Sequence, residues 1–311
     1  MIESQVRLSG QPTERPRFVH FFHKHAATLA VVPVLVMALL FYFGSALWSV
    51  VMSFTASKIF PDMTFVGFRQ YRRLFNDDLW SLSLHNLAIF ALGSLFSLVL
   101  GFLLAVLLDG DTPGAGFFRT IYLYPMAVSL IITGLVWQWL FNPTLGLQQF
   151  IRDLGLQDFN FNWVADKNRV MYAVILASVW QSTGFYMVLC SAGLRGVDSE
   201  VWQASRIDGI PKFRMYLEVI IPMMRFTFLT SFVLLSIGAV KAYDIIVAMT
   251  NGGPGGHSEL PAYYIVDMYT NRRFIALGAA GSTILLLIVV AFLVALPLIT
   301  LGLNRRKPRH V

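Results

Sequence analysis

The chain is 311 residues long, 56% hydrophobic and only 13% charged, with a net charge of +7, a composition that excludes an ordinary soluble domain. No basic stripe interleaved with aromatics stands in a polar segment, so nucleic-acid binding is not the meaning of the positive balance. The one cysteine, Cys190, excludes an intrachain disulfide and leaves the redox compartment open.

Residues 1–28 read as a polar cytoplasmic tail, and its His20, His23, Lys24 and His25 as a basic interfacial anchor, since no carboxylate or cysteine joins them to make a metal site. Uncharged runs follow at 25–57, 79–108, 120–151, 170–194 and 274–304, and one from 226 to 258 is broken only by Lys241 and Asp244. A spanning helix needs about 20 apolar residues, and in lipid the backbone must satisfy its own hydrogen bonds. The runs therefore predict an all-α membrane protein with six transmembrane helices, at about 29–54, 84–108, 118–141, 170–194, 224–249 and 276–302. The first run is longer than a signal-peptide core and lacks a small-residue cleavage pattern, so it is expected to remain as an anchor.

The connections differ in kind. The loop at 55–78 carries Asn76-Asp77-Asp78 before the second span, and Asp109 to Gly116 is a Gly/Pro turn that makes the second and third spans a hairpin. The outer loop 142–169 has room for a turn or a small helix, and no outer loop is long enough for a separate domain. In the last span Gly278 and Ser282 stand four apart beside Ala279, Ala280 and Gly281, a spacing that lets helix backbones approach closely.

Residues 198–222 are the exception, a charged, helix-forming insert between two apolar runs. Asp198 or Ser199 can cap a helix whose first turn carries Glu200, Gly209 can end it in a left-handed turn, and Pro211 suits the first position of a second helix. Pro222 then marks re-entry into the membrane. Ala204 and Ser205 keep one face low while Trp202 and Ile207 offer apolar bulk, a knob for a groove on a partner. With both tails and the insert on one side, fourteen Lys and Arg fall inside and nine in the outer loops. The positive-inside rule then places the termini and the insert in the cytoplasm, with the basic tail 304–311 closing the chain.

The insert resembles the EAA motif of binding-protein-dependent ABC importer permeases. The matching positions are Gln203-Ala204-Ser205, Gly209, Val219, Ile221 and Pro222, of which Ala204, Gly209 and Pro222 are identical and the motif glutamate is replaced by Gln203. The string from Ala242 through Asn251-Gly252-Gly253-Pro254 looks like the carbohydrate-uptake branch of the family, as do Phe118 to Pro125 and Trp139 to Pro143. The likeness runs from about residue 28 to 304. It implies a type I ABC importer permease fold in a bacterial cytoplasmic (inner) membrane. It also implies a second permease, two ABC ATPase subunits and an extracytoplasmic sugar-binding protein as partners. Glu200, Trp202, Gln203, Ala204, Ser205, Asp208, Gly209 and Pro222 then form the ATPase-coupling element. No phosphate loop of the Gly-x-x-x-x-Gly-Lys-Ser/Thr kind occurs, so this chain is not expected to be an enzyme or to hold a cofactor, and ATP with Mg is expected on the partner subunits.

For the substrate path, sugars bind through aromatic faces and planar polar groups, and the resemblance to maltose-type permeases implies that the section of the fourth span carrying Gln181, Ser182 and Phe185 contributes to the substrate site. Packing between helices is the rival reading of these residues. In the fifth span, Lys241 and Asp244, three apart and able to neutralise each other, flank Tyr243 as further candidates. Two other functions compete with the importer: a stand-alone proton-coupled carrier using Lys241 and Asp244, and a membrane enzyme, for which His85 and His257 are too isolated.

Overall fold

The computed structural model describes residues 31–109 and 114–305, with side chains to residue 295. The expected tail at 1–28, residues 110–113 of the 109–116 turn and the last basic residues lie outside that range. The described residues are helical, with a single isolated bridge between Thr55 and Phe65. Four helices are long and apolar enough to cross a membrane: α1 (Val31–Ser53), α3 (Asp78–Leu107), α7 (Val170–Arg195) and the Ile275–Ala295 part of α13 (Ile275–Arg305). Two bent pairs bring the number to six if each counts as one span.

The chain up to Val51 forms one unit, made in its described part by α1 with a wide π turn at Leu39–Phe43. The remainder forms a second unit, built around α3 packed along α7. Glycine permits that approach: a Cβ on Gly101 of α3 would stand 2.7 Å from the Met187 backbone nitrogen. Helix α3 begins earlier than its apolar run because Asp77 caps it, accepting from the Leu79 N–H at 3.0 Å. The same carboxylate accepts from the Tyr264 hydroxyl at 2.7 Å, tying α12 (Pro261–Thr270) to that end of α3. The small residues of the last span serve contacts within the chain, for a Cβ on Gly278 would crowd Tyr269 and one on Gly281 would crowd Ile265.

Two expected spans are interrupted. The third is two helices, α4 (Ala115–Ala127) and α5 (Leu130–Leu140), at 99° to each other. The fifth breaks at Lys241–Tyr243 into α10 (Arg225–Val240) and α11 (Asp244–Met249). The two interrupted segments meet, α5 packing on α11. In the outer loop the expected small helix is α6 (Leu147–Asp153), held through Gln148, whose side chain accepts from the Phe161 N–H at 2.6 Å. Phe161 and Trp163 stack on Phe141 with ring centroids 5.1 and 6.2 Å apart, closing one end of the core.

Candidate functional site

The insert leaves α7 at Gly196 and forms α8 (Ser199–Ile207) and α9 (Lys212–Met223). Asp198 occupies the N-cap position of α8, but its side chain makes no capping bond. Helix α8 ends as Gly209 dictates. Its φ of +66° lets the Ile210 N–H reach the Ser205 carbonyl at 3.0 Å and the Gly209 N–H reach Arg206 at 3.3 Å. That pair of bonds is a Schellman closure, which a residue with a Cβ adopts only under strain. Pro211 stands one residue earlier than expected, at the N-cap of the next helix. Helix α9 is wound as a π turn over Met215–Ile220, ahead of Pro222, which cannot donate to the helical ladder, and the chain then bends by 71° into α10.

The two faces of α8 divide the expected coupling residues. Trp202 turns inward, its ring 5.7 Å from that of Tyr216, and clamps α8 to α9; it is not the exposed knob. Ser205 is buried, its hydroxyl donating to the Trp202 carbonyl at 2.9 Å. Glu200, Gln203, Ala204, Asp208, Gly209 and Pro222 are exposed. The apolar bulk offered to water is Ile207, 85% exposed, and Phe213, 75% exposed, on either side of the glycine turn. Phe213 was not among the candidates, although a lone aromatic between Lys212 and Arg214 in a polar insert is a readable sign.

The second group of candidates separates. Gln181 is buried, and its Nε2 donates to the Val128 carbonyl at 2.8 Å, at the break between α4 and α5. Ser182 bonds the Ser97 hydroxyl across to α3 at 2.9 Å and the Ser178 carbonyl at 2.7 Å. Both behave as links between helices. Phe185 is half-buried, edge-on to Tyr186 at 5.3 Å. A Cβ on Gly184 would collide with the Tyr122 carbonyl, so α4 lies directly against α7 at this level.

Lys241 and Asp244 do not form the expected helical pair. Lys241 ends α10, Asp244 begins α11, and the ion pairs of the described residues are Arg169 with Asp166 and Arg272 with Asp267. Both side chains are exposed, flanking an unwound turn in which Tyr243 stacks on Tyr263 at 6.1 Å. Unwound backbone at membrane depth is tolerated where it lines a cavity or is covered by protein. Trp137 of α5 and Trp180 of α7, 5.9 Å apart, add an aromatic pair that the sequence reading had not singled out.

Beyond α11 the Asn251-Gly252-Gly253-Pro254 turn is built on a φ of +48° at Asn251 and +78° at Gly252. The Tyr263 hydroxyl donates to the Asn251 carbonyl at 2.9 Å, and Asn86 of α3 donates to the Glu259 carbonyl at 2.9 Å. Glu259 itself is only 7% exposed, one of its carboxyl oxygens has no hydrogen-bond partner, and burial pushes its pKa up to about 7. Its place in a glycine-rich loop gave no sign of burial. Among the described residues no group of His, Cys, Asp and Glu is arranged to hold a metal ion.

Residues 97–306 match a family described as the inner membrane component of binding-protein-dependent transport systems. A probable ABC transporter permease protein of Pyrococcus horikoshii is 34% identical over 275 residues, 86% of this chain and 92% of the relative. The diacetylchitobiose uptake system permease protein of Streptomyces coelicolor is 32% identical over 246 residues, 75% of this chain and 69% of the relative. Among solved structures, a chain of a bacterial ABC transporter involved in the import of the acidic polysaccharide alginate superposes with a TM-score of 0.76 at 18% identity, over 91% of this chain and 99% of that one. The last likeness is one of fold.

Proposed function

This chain belongs to the family of binding-protein-dependent transport system inner membrane components, and from that premise we propose that it is the permease subunit of an ATP-driven importer for a carbohydrate. The relatives' names support the substrate class, since diacetylchitobiose and alginate are both saccharides. In this reading the chain crosses a bacterial inner membrane six times with both termini in the cytoplasm. It pairs with a second permease, receives its sugar from an extracytoplasmic binding protein, and is driven by two ATPase subunits that bind ATP and Mg.

The observation that carries the reading is the insert. Helices α8 and α9 are joined by a left-handed Gly209 and present Ile207 and Phe213 to water, and they connect to α7 by three residues, Gly196 to Asp198, and through one bend to α10. A partner that moves α8 moves two membrane helices with it. Gln203, exposed on the same helix, offers its amide to that partner in place of the motif carboxylate. On the far side of α10 the break at Lys241–Tyr243 supplies charged and aromatic side chains where α11 meets α5. We assign Lys241, Tyr243 and Asp244 to the substrate path, and Gln181 and Ser182 to the frame around it.

Reconstitution of the complete transporter in vesicles tests the proposal. Sugar uptake should require internal ATP and the binding protein. Uptake that persists without ATP, or that collapses with an uncoupler while ATP is held constant, would return the chain to the class of ion-driven carriers.

A further inference from the structure

Neither site above uses the cations of the loop that follows α1 and of the short helix after it. Lys58, Arg69 and Arg73 line a cavity of about 280 Å³ with Ser57, Gln70 and Phe274 among its other walls. No carboxylate lines this cavity, and none of the three cations takes part in the ion pairs of the described residues. Asp62, the carboxylate of the same loop, is engaged locally, accepting from the Thr64 hydroxyl at 2.6 Å and the Thr64 N–H at 3.0 Å.

Part of the lining is fixed. Gln70 is buried and donates to the Thr55 carbonyl at 2.9 Å, and the Arg73 guanidinium lies 4.6 Å above the Phe274 ring. The first two N–H groups of α13, on Ile275 and Ala276, donate to the Lys58 and Ser57 carbonyls at 3.2 and 3.0 Å. Three like charges around one cavity repel one another unless an anion joins them, and two of them are arginines, whose forked donors match a phosphate group.

Depth selects the anion. The cavity sits where the apolar helix α13 begins, and α2 (Arg69–Phe75), which supplies two of the cations, leads directly into α3. This is the level at which membrane spans meet the head-group layer. The loop around it exposes Phe60, Phe65 and Phe68, the last two gathered on Phe54 at 6.1 and 5.4 Å. Exposed aromatics beside cations at the end of a span are the composition of a membrane interface. We propose that Lys58, Arg69 and Arg73 form a binding site for the phosphate of a membrane phospholipid.

The test is to count phospholipids retained by the complete transporter, purified in detergent from its own membrane, by native mass spectrometry. The wild type should keep at least one phospholipid that the combined Lys58→Gln, Arg69→Gln, Arg73→Gln variant loses. Arg69→Lys with Arg73→Lys, which preserves charge, should keep it in part. Arg72→Gln alters an exposed cation of the same helix outside the cavity and should match the wild type. Equal retention by the combined variant, or equal loss in Arg72→Gln, overturns the site. Displacement of the lipid by millimolar inorganic phosphate assigns the cavity to a soluble anion and overturns the lipid. Weakened capture of the binding protein with an unchanged lipid count overturns it as well, by assigning the cations to a protein contact.

Discussion

The Gln181 amide reaches from α7 to the Val128 carbonyl, 2.8 Å away, at the point where α4 and α5 part. The break frees backbone groups, and Val128 is half-buried; a fully buried acceptor left unpaired costs about 1–3 kcal/mol, which is the upper bound here. Gln181→Leu is therefore expected to lower the apparent Tm of the purified transporter and its uptake rate together, with the sugar concentration at half-maximal uptake unchanged. A large rise in that concentration at constant Tm would instead make Gln181 a substrate ligand.

Ile207 and Phe213 are exposed on the two sides of Gly209, so neither supports the fold of this chain. Ile207→Asp and Phe213→Asp should leave the Tm of the permease pair within a degree or two while the ATPase subunits fail to copurify. A central apolar anchor at an interface is worth on the order of 2 kcal/mol or more, roughly a thirtyfold loss of affinity. Trp202→Ala should do the reverse, lowering Tm, because its ring is packed on Tyr216.

Much of this was legible before folding. Charge spacing marked the apolar helices, and Gly209 with Pro211 marked the joint in the insert, because glycine and proline constrain the backbone locally. The break at Val128–Ser129 was not legible, since Pro125 lies three residues before it, inside α4, and the carbonyl freed there is satisfied by Gln181, a partner 53 residues away. The same limit hides that Trp202 faces Tyr216 and that Lys241 and Asp244 stand on separate helices. Hydropathy cannot tell which face of α8 meets α9, and a regular helix was assumed through Lys241–Asp244 where the backbone unwinds.

Gly209 offers a cleaner probe of coupling than its neighbours. A Cβ there would meet nothing within 4 Å, so any cost of substitution is backbone strain at a φ of +66°, about 1–2 kcal/mol for a residue with a Cβ. Gly209→Val should leave assembly intact and reduce the ATP hydrolysis stimulated by sugar-loaded binding protein. Gly209→Asn, which tolerates the left-handed region, should restore most of it. Equal activity in the valine and asparagine variants would remove the turn from the coupling path.

Glu259 gives the chain a pH dependence of definite sign. Burial, reinforced by Asp267 and Asp77 and opposed by Arg272, lifts its pKa from the ordinary 4.5 to about 7. Between those two values the folded chain holds a proton that the unfolded chain has released, so stability falls as pH rises through the window. Below the window both forms are protonated and Glu259 contributes nothing; above it the buried carboxylate carries its full penalty. Asn86 and Tyr263 pin the loop that buries the group, which keeps the carboxyl from escaping to water without unfolding the turn. Glu259→Gln retains the shape and removes the ionisation. Its apparent Tm should match the wild type near pH 4.5, exceed it near pH 8, and lack the wild-type decline between them. Parallel curves for the two proteins would show that the carboxyl ionises freely in the folded state.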